Sequence, residues 1–202
     1  MKDVGFRLEA DATLHLCVDM QRLFAEETAW RVAWLPRVLP AVVEIASRHA
    51  PRTVFTRFAP PARPDAAEGA WRAFYERWPQ MTRAGLDPRL LDLVDPLARL
   101  VPPARTVDKP GNSAFSREGF AAALKRGRVT TLVVTGGETD VCVLATVMQA
   151  IDLGFRIVLP TDALCSTSDG AHDALVDLFR TRFTAQVEAT TTEELLRRWS
   201  AG

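Results

Sequence analysis

The sequence predicts an α/β fold in which a doubly wound, mostly parallel sheet of six strands has helices on both faces. Short apolar runs rich in β-branched residues alternate with longer runs of helical periodicity, and this alternation is typical of a parallel sheet. The run VTTLVVT at residues 129–135 is apolar enough for a strand that is covered on both faces. We therefore expect the strand order 3-2-1-4-5-6 and one domain over residues 1–202.

Each predicted strand is a short run of β-branched, aromatic or leucine side chains. In chain order, the predicted strands are Thr13–Val18, Thr53–Thr56, Arg105–Val107, Val129–Thr135, Phe155–Leu159 and Arg182–Val187. The third run has the weakest strand pattern and the fourth has the strongest. The first run, TLHLCV, ends at an aspartate, so a polar side chain is expected at the edge of the sheet.

Apolar residues at helical spacing predict helices between and after these strands. The predicted helices are Leu35–His49, Arg117–Arg126, Cys142–Leu153, Gly170–Arg180 and Thr192–Trp199. Gly154 lies where a glycine would end the helix that begins at Cys142. Thr191 and Thr192, followed by two glutamates, are typical of a capped helix start.

The segment 59–103 interrupts the alternation of strands and helices. It holds eight of the thirteen prolines, and Trp71, Phe74, Tyr75 and Trp78 follow one another at helical spacing. We interpret the segment as an elaborated crossover that serves as a lid or an oligomer contact. Its aromatic side chains either pack into the core or form the wall of a pocket, and the sequence leaves both possibilities open.

Composition and charge exclude several classes of protein. The 25 Lys and Arg residues balance the 25 Asp and Glu residues, which argues against nucleic acid or an anionic membrane as a partner. Residues Met1–Asp11 lack the apolar core of a signal peptide, and Val141–Ile151 is too short to span a bilayer. The three cysteines are far apart and form no CxxC motif, so we expect reduced thiols and a cytoplasmic protein.

Polar residues follow two of the predicted strands at a point where ligands often bind. Asp19 directly follows the first strand, and GGETDVC at residues 136–142 follows the fourth. In the order 3-2-1-4-5-6, these two strands flank the position where the strand order reverses. We therefore expect Asp19 and Cys142 to face each other across one cleft. Taken alone, a turn cap for Asp19 and a small buried core residue for Cys142 remain strong alternatives.

Lys109 is a third residue with potential chemistry, because the chain contains only three lysines. A cysteine, a carboxylate and a lysine supply a nucleophile, a base for its proton and a cation that orients the base. Cys142 also begins a predicted helix, whose dipole lowers the pKa of a thiol at that position. The alternative for Lys109 is a solvated surface charge. The sequence has neither HExxH nor GxGxxG, so we predict no metal and no nucleotide cofactor.

Three blocks of sequence together carry a family resemblance. They are CVDMQ at residues 17–21 with Phe24 one turn later, Asp108–Lys109 followed by Ser113–Phe115, and VTGGETDVCV at residues 134–143 continuing through Gly154 to Thr161–Ala163. In order and spacing, from about Leu14 to Val187, the chain resembles the isochorismatase-like cysteine hydrolases. That superfamily includes nicotinamidases, N-carbamoylsarcosine amidase, and ureidoacrylate and biuret hydrolases.

The resemblance implies a role for each of these residues. Asp19 is implied to be the general base, Cys142 the nucleophile, and Lys109 the cation that holds Asp19 and lowers the pKa of the thiol. A cis peptide is implied at Gly137–Glu138, with the backbone N–H groups of Glu138 and Cys142 binding an oxyanion. The resemblance also implies a small-molecule substrate and a homodimer or homotetramer.

Two departures from the superfamily narrow the implied activity. Nicotinamidases carry an Asp-x-His motif after the second strand, with further histidines that bind a metal, whereas residues 55–60 here read FTRFAP. Isochorismatases proper lack the nucleophilic cysteine that Cys142 supplies. The resemblance is therefore to the metal-free branch that includes N-carbamoylsarcosine amidase and biuret hydrolase. We expect hydrolysis of a C–N bond in a small amide, carbamoyl or ureide substrate through a thioester, with release of ammonia.

Family position also suggests substrate-binding residues. These are Phe24, Trp30, Arg57, Asn112 and Phe115. Arg57 has two equally plausible roles, a bidentate contact to a substrate carboxylate or a structural salt bridge.

The sequence also leaves other functions open. The same fold can serve as a catalytically idle binding or scaffold protein, or as a redox sensor that uses Cys142, although no resolving CxxC motif is present. A nicotinamidase is a lesser alternative. The missing glycine fingerprint disfavours a nucleotide-dependent dehydrogenase.

Overall fold

A parallel β-sheet lies at the centre of residues 6–199, the part of the chain that the computed structural model describes. Its strands are β1 (Thr13–Val18), β2 (Thr53–Phe58), β3 (Arg105–Lys109), β4 (Thr131–Gly137), β5 (Arg156–Pro160), β6 (Leu164–Cys165) and β7 (Val187–Thr190). The six longer strands lie in the order β3-β2-β1-β4-β5-β7, and the two-residue β6 pairs with β4. The α/β class and the predicted order of the six strands are therefore confirmed.

The last predicted strand, Arg182–Val187, has the wrong boundaries. The preceding helix continues through Arg182, and Phe183 then packs against Phe179 one turn earlier. Extended structure begins at Val187, which is aligned with Ile157 of β5. Strand β6 was missed because two residues are too few to form a recognisable pattern.

Helices cover both faces of the sheet. They are α1 (Arg22–Ala25), α2 (Leu35–Arg48), α3 (Gly69–Arg77), α4 (Asp95–Ala98), α5 (Phe120–Arg126), α6 (Leu144–Asp152), α7 (Asp169–Arg182) and α8 (Thr192–Arg198). Helix α8 begins as predicted, with the Thr191 hydroxyl accepting a hydrogen bond from the Glu194 N–H. Helix α6 begins two residues later than predicted, because a π-helical turn over Thr139–Val143 precedes it.

Side chains alternate between two apolar layers along the central strands. Leu14, Leu16 and Val18 of β1 belong to the layer that also contains residues of α5, α6 and α7. Cys17 belongs to the opposite layer, with residues of α2, α4 and α8. Burial on both faces explains why the first and fourth strands have nearly continuous apolar sequences. None of the helices within residues 6–199 has the length and apolar character needed to cross a bilayer.

The crossover over residues 59–103 is mostly short helical turns. Helix α3 carries the aromatic stripe, and both proposed locations for that stripe are found in the structure. Tyr75 is fully buried, whereas Trp71, Phe74 and Trp78 line a pocket.

Gly136 and Gly154 both have a positive φ, but only Gly136 has other atoms packed closely against it. Gly136, at the end of β4, has φ +99°, and a Cβ there would lie 2.1 Å from the Val18 carbonyl oxygen. Gly154 has φ +88°, and a Cβ there would meet nothing within 4 Å. Gly136 therefore permits the close approach of β1 and β4 just before Asp19 and the turn that carries Cys142.

We predict that Gly154→Ala lowers the free energy of unfolding by about 1–2 kcal/mol, the cost of a left-handed residue. Gly136→Ala should cost more than about 4 kcal/mol, because the new methyl group also displaces the backbone of β1. Urea unfolding of the two variants measures the difference. Equal losses would show that Val18 and Gly136 are not in close contact.

His15 makes folding stability depend on pH. Its ring nitrogens lie 3.2 Å from Thr53 Oγ1 and 2.8 Å from Thr135 Oγ1. Burial, and secondarily the charge of His49, lower the pKa of His15 from 6.5 to about 3. Below pH 6.5, the unfolded chain therefore binds a proton at His15 that the folded protein does not bind until the pH approaches 3.

We predict that the free energy of unfolding falls as the pH drops below 6.5, by up to about 1.4 kcal/mol per pH unit from this group. His15→Gln removes the titrating group, so its stability should depend less on pH over the same range. Denaturant unfolding between pH 7 and 4 tests this, and identical slopes for both proteins would contradict it.

Candidate active site

Three side chains from separate strand ends meet beneath one pocket. Asp19 follows β1, Lys109 ends β3, and Cys142 lies in the turn after β4. Lys109 Nζ is 2.7 Å from Asp19 Oδ2, and the two side chains are 0% and 1% exposed. Cys142 is 7% exposed and is close enough for both charges to shift the pKa of its thiol. The structure thus brings together the three residues that the sequence selected.

Backbone conformation and Thr56 fix the carboxylate of Asp19. Asp19 has φ +51°, a left-handed conformation that aspartate tolerates better than most residues. The Thr56 hydroxyl, on β2, donates to Asp19 Oδ1 at 2.7 Å. Asp19 Oδ2 accepts no aligned hydrogen bond from residues 6–199, so beside its ion pair it retains the capacity to accept a proton. Sequence reasoning missed Thr56, which resembles any buried strand threonine.

Lys109 is held from several sides. Its ammonium group donates to the carbonyl oxygens of Gly111 at 2.9 Å and Asn112 at 2.8 Å, and it lies 5.2 Å from the ring centroid of Phe58. Burial has the largest single effect and lowers the pKa of Lys109, but the charge of Asp19, the charge of Cys142 and the side-chain hydrogen bonds to both together outweigh it and leave this pKa raised. Lys109 is therefore positively charged at neutral pH.

The environment of Cys142 differs from the sequence-based expectation. Burial, and then the charge of Asp19, raise the pKa of the Cys142 thiol, while Lys109 lowers it by less. The expected net lowering of this pKa is wrong, because Cys142 lies in a buried π-helical turn before the regular helix begins. The resting side chain is a thiol, and a nearby base has to remove its proton before it can act as a nucleophile.

Hydrogen bonds anchor the turn that carries Cys142. The Gly137–Glu138 peptide bond is cis. The Glu138 carboxylate accepts from the Thr167 backbone N–H at 3.0 Å and from its hydroxyl at 2.6 Å. The Thr139 hydroxyl donates to the Cys165 carbonyl at 3.1 Å. Glu138 and Cys142, whose N–H groups were expected to bind an oxyanion, both line the pocket.

The pocket above the thiol has a volume of about 580 Å³. Its wall is mainly aromatic, with side chains from the start of the chain and from the crossover: Phe24, Trp30, Phe58, Trp71, Phe74 and Trp78. Tyr75 packs beneath these rings, and its buried hydroxyl has no hydrogen-bond partner within residues 6–199. Burial, and then the charge of Cys142, raise the pKa of Tyr75. This second effect places the hydroxyl within electrostatic range of the thiol.

Three of the five predicted substrate-binding residues line this pocket, namely Phe24, Trp30 and Asn112. Arg57 does not, because its guanidinium donates to both carboxylate oxygens of Asp108 at 2.7 and 3.0 Å. The structural salt bridge is therefore the role of Arg57 that the structure supports. Phe115 does not line the pocket either and packs in the core against Phe120 and Phe155.

Gln21 supports the site from a position that sequence reasoning did not assign a role. Its side chain accepts from the Phe58 N–H at 2.7 Å and donates to the carbonyls of Phe58 at 3.2 Å and Leu91 at 2.9 Å. Gln21 therefore connects the end of β2 to the crossover. The sequence signal for this role was the position of Gln21, a polar residue two positions after Asp19 in the block CVDMQ.

Within residues 6–199, no three His, Cys, Asp or Glu side chains are grouped in a way that could hold a metal ion. Cys17 and Cys165 belong to the apolar layer on the face of the sheet opposite to Cys142. A disulfide from Cys142 to either of them would have to cross the sheet.

Comparisons with known proteins agree with this architecture. The isochorismatase domain family matches residues 13–194. Streptothricin hydrolase from Streptomyces noursei is 40% identical over 62 residues, which cover 31% of this chain and 22% of that protein. The chain therefore matches less than a quarter of the length of that relative.

Solved structures share the fold across nearly the whole chain. A cysteine hydrolase from Pseudomonas syringae pv. phaseolicola 1448A has a TM-score of 0.82 at 22% identity, with 98% of each chain covered. N-carbamoylsarcosine amidase from Thermoplasma acidophilum has a TM-score of 0.72 at 16% identity, covering 90% of this chain and 96% of that one. Nicotinamidases are also among the proteins with this fold.

The chain has the parallel α/β fold of isochorismatase-like proteins. The family match covers residues 13–194, which is most of the chain. The chain belongs to the isochorismatase family, whose members are hydrolases.

We predict that Lys109→Met lowers the free energy of unfolding by about 3–5 kcal/mol, because it leaves the Asp19 carboxylate buried without a counter-charge. The double variant Asp19→Asn/Lys109→Met should be more stable than Lys109→Met, since no charge then remains unpaired. Urea unfolding of the full double-mutant cycle measures this coupling.

The exposed Lys125 provides the control. Lys125→Met should change stability by less than about 0.5 kcal/mol. Additive losses for Asp19→Asn and Lys109→Met would contradict a direct interaction between the two buried groups.

Proposed function

We propose that this protein is a cysteine-dependent hydrolase that cleaves a C–N bond in a small amide, carbamoyl or ureide substrate and releases ammonia. One observation carries the proposal, namely the buried ion pair of Asp19 and Lys109 beside the Cys142 thiol at the base of a pocket. A protonated thiol next to a carboxylate with free acceptor capacity suits nucleophilic catalysis with a dedicated base.

The first half of the reaction forms a thioester. Asp19 accepts the thiol proton as the sulfur of Cys142 bonds to the carbonyl carbon, and the carbonyl π electrons move to oxygen. The backbone N–H groups of Glu138 and Cys142 stabilise that oxyanion. When the tetrahedral intermediate collapses, the C–N bond breaks and the protonated Asp19 gives its proton to the leaving nitrogen, which departs as ammonia.

The second half hydrolyses the thioester. Asp19, again ionised, takes a proton from a water molecule as the water oxygen bonds to the thioester carbon. The C–S bond breaks, sulfur recovers the proton, and the acid product leaves. Lys109 remains charged throughout and keeps Asp19 oriented, because its other hydrogen bonds go to the fixed carbonyls of Gly111 and Asn112.

The redox-sensor alternative has weaker support. A thiol with a raised pKa reacts slowly with peroxide, and the other two cysteines lie in the opposite apolar layer. A nicotinamidase and an idle scaffold remain as outcomes of the activity test. The implied homodimer or homotetramer stays a prediction.

We predict metal-independent ammonia release from at least one substrate in a panel of primary amides, N-carbamoyl compounds, biuret and nicotinamide. Cys142→Ser should lower kcat/KM at least 10³-fold, and Asp19→Asn about 10²–10⁴-fold, the usual range for loss of a positioned acid–base group. Ammonia is measured by a coupled assay with a chelator present.

Cys17→Ala is the matched control, because it alters a buried cysteine in the opposite layer and should retain activity. Near-full turnover by Cys142→Ser or Asp19→Asn would overturn the assignment of these residues. If the folded protein released no ammonia from any substrate in the panel, the result would favour the binding or scaffold function.

A further inference from the structure

Four aromatic rings of the pocket form a closed circuit, which we call the aromatic box: Trp30, Phe58, Trp71 and Phe74. Neighbouring ring centroids are 5.7 Å apart for Trp30 and Phe74, 5.4 Å for Phe74 and Trp71, 6.3 Å for Trp71 and Phe58, and 6.0 Å for Phe58 and Trp30. Tyr75 packs against three of them from below. The box belongs to the same pocket that Cys142 lines.

The angles between these rings suit a rounded group better than a flat one. Trp71 and Phe74 are inclined at 84°, and Trp30 and Phe58 at 68°. The other two neighbouring pairs are tilted at 34° and 41°. The facing rings Phe58 and Phe74 are not parallel, because Trp71 is tilted 41° from one and 84° from the other. Trp30 and Trp71 are not parallel either, because they make angles of 54° and 27° with Tyr75. The box therefore lacks two facing walls that would hold a planar ring in a stack.

The charges at the pocket wall favour a positively charged occupant. Glu138 lines the pocket, and the only hydrogen bonds of its carboxylate to residues 6–199 are those that one oxygen accepts from Thr167, which also lines the pocket. The cations close to the site are already engaged: Lys109 with Asp19, Arg57 with Asp108, and Arg31, which lines the pocket, with Glu27. A substrate carboxylate would therefore meet aromatic rings and Glu138, and it would have to replace Glu27 to pair with Arg31.

Phe58 is the ring least available to a substrate cation, because Lys109 Nζ lies 5.2 Å from its centroid. Trp30, Trp71 and Phe74 remain, and Phe74 is 38% exposed at the pocket mouth. Electron-rich ring faces attract organic ammonium groups, and partial exposure lowers the cost of removing water from the charge.

We infer that the aromatic box, together with Glu138, binds a compact alkylammonium group on the substrate whose C–N bond is cleaved at Cys142. The inference rests on the proposed function, from which it takes the reaction. It adds that the substrate carries a positive charge in a compact, rounded group. The positively charged group is bound by Trp30, Trp71 and Phe74, and the adjacent acyl carbon reaches the thiol.

Three primary amides that differ only in one group test the inference. They are trimethylammonioacetamide, its neutral isostere 3,3-dimethylbutanamide, and malonamate, which carries a carboxylate. We expect kcat/KM for ammonia release to be at least tenfold higher for the cation than for the neutral isostere, and lowest for malonamate. Trp71→Leu should reduce the preference for the cation at least threefold.

Trp34→Leu is the matched control, because Trp34 packs against His172 and does not line the pocket. It should keep the wild-type preference. Comparing ratios between variants removes the intrinsic effect of the ammonium group on amide reactivity, since that effect is the same for every variant. A preference unchanged in Trp71→Leu, or a neutral isostere hydrolysed as fast as the cation, would overturn the inference while leaving the hydrolase intact.

A binding measurement separates this inference from the proposed function. Tetramethylammonium, titrated into the Cys142→Ser protein, should quench tryptophan fluorescence saturably, and Trp71→Leu in the same background should weaken the binding at least threefold. Saturable quenching without hydrolysis of any of the three amides would support the cation site and count against the proposed reaction. No saturable quenching would overturn the cation site whatever the amidase activity.

Discussion

The buried ion pair between Asp19 and Lys109 is the interaction on which the rest of the site depends. Two charges removed from water are costly unless other groups replace the lost hydration. Here the replacements are the Thr56 hydroxyl on one side and the carbonyls of Gly111 and Asn112 on the other. The two charges and the groups that replace their hydration come from the ends of β1, β2 and β3 and from the loop that follows β3. The carboxyl edge of the sheet therefore has to be assembled correctly before the charges are satisfied.

The strand ends and the aromatic pocket wall have different roles around Cys142. Burial, together with the charges of Asp19 and Lys109 at the strand ends, sets the protonation of the sulfur, and the aromatic side chains above it define the space for a ligand. Gln21 joins the two parts, because it binds the backbone at the end of β2 and the Leu91 carbonyl in the crossover. The proposed chemistry thus depends on the strand ends, whereas most of the rings proposed to select the ligand, namely Trp30, Trp71 and Phe74, come from other segments of the chain.

Much of the fold was predictable because strands buried on both faces leave apolar runs, and the order of those runs placed Asp19 and Cys142 at one edge. The role of Arg57 was harder to infer. Its partner Asp108 is directly opposite on β3, and that alignment requires the strand register, which the sequence does not reveal. The pKa of Cys142 was mispredicted for a similar reason. The start of a helix can be predicted from the local sequence, whereas the burial that dominates the pKa of the Cys142 thiol depends on the surrounding fold.

The division between strand ends and crossover has an evolutionary consequence. Asp19, Lys109 and Cys142 lie at or just after strand ends whose geometry tolerates little change, as the close approach of Gly136 to Val18 illustrates. Trp71, Phe74 and Trp78 lie instead on or just after a nine-residue helix within the crossover of short turns. Substitutions or length changes in that crossover can alter what the pocket accepts while Asp19, Lys109 and Cys142 stay in place, so descendants of such a chain can acquire new ligands without rebuilding the proposed catalytic group.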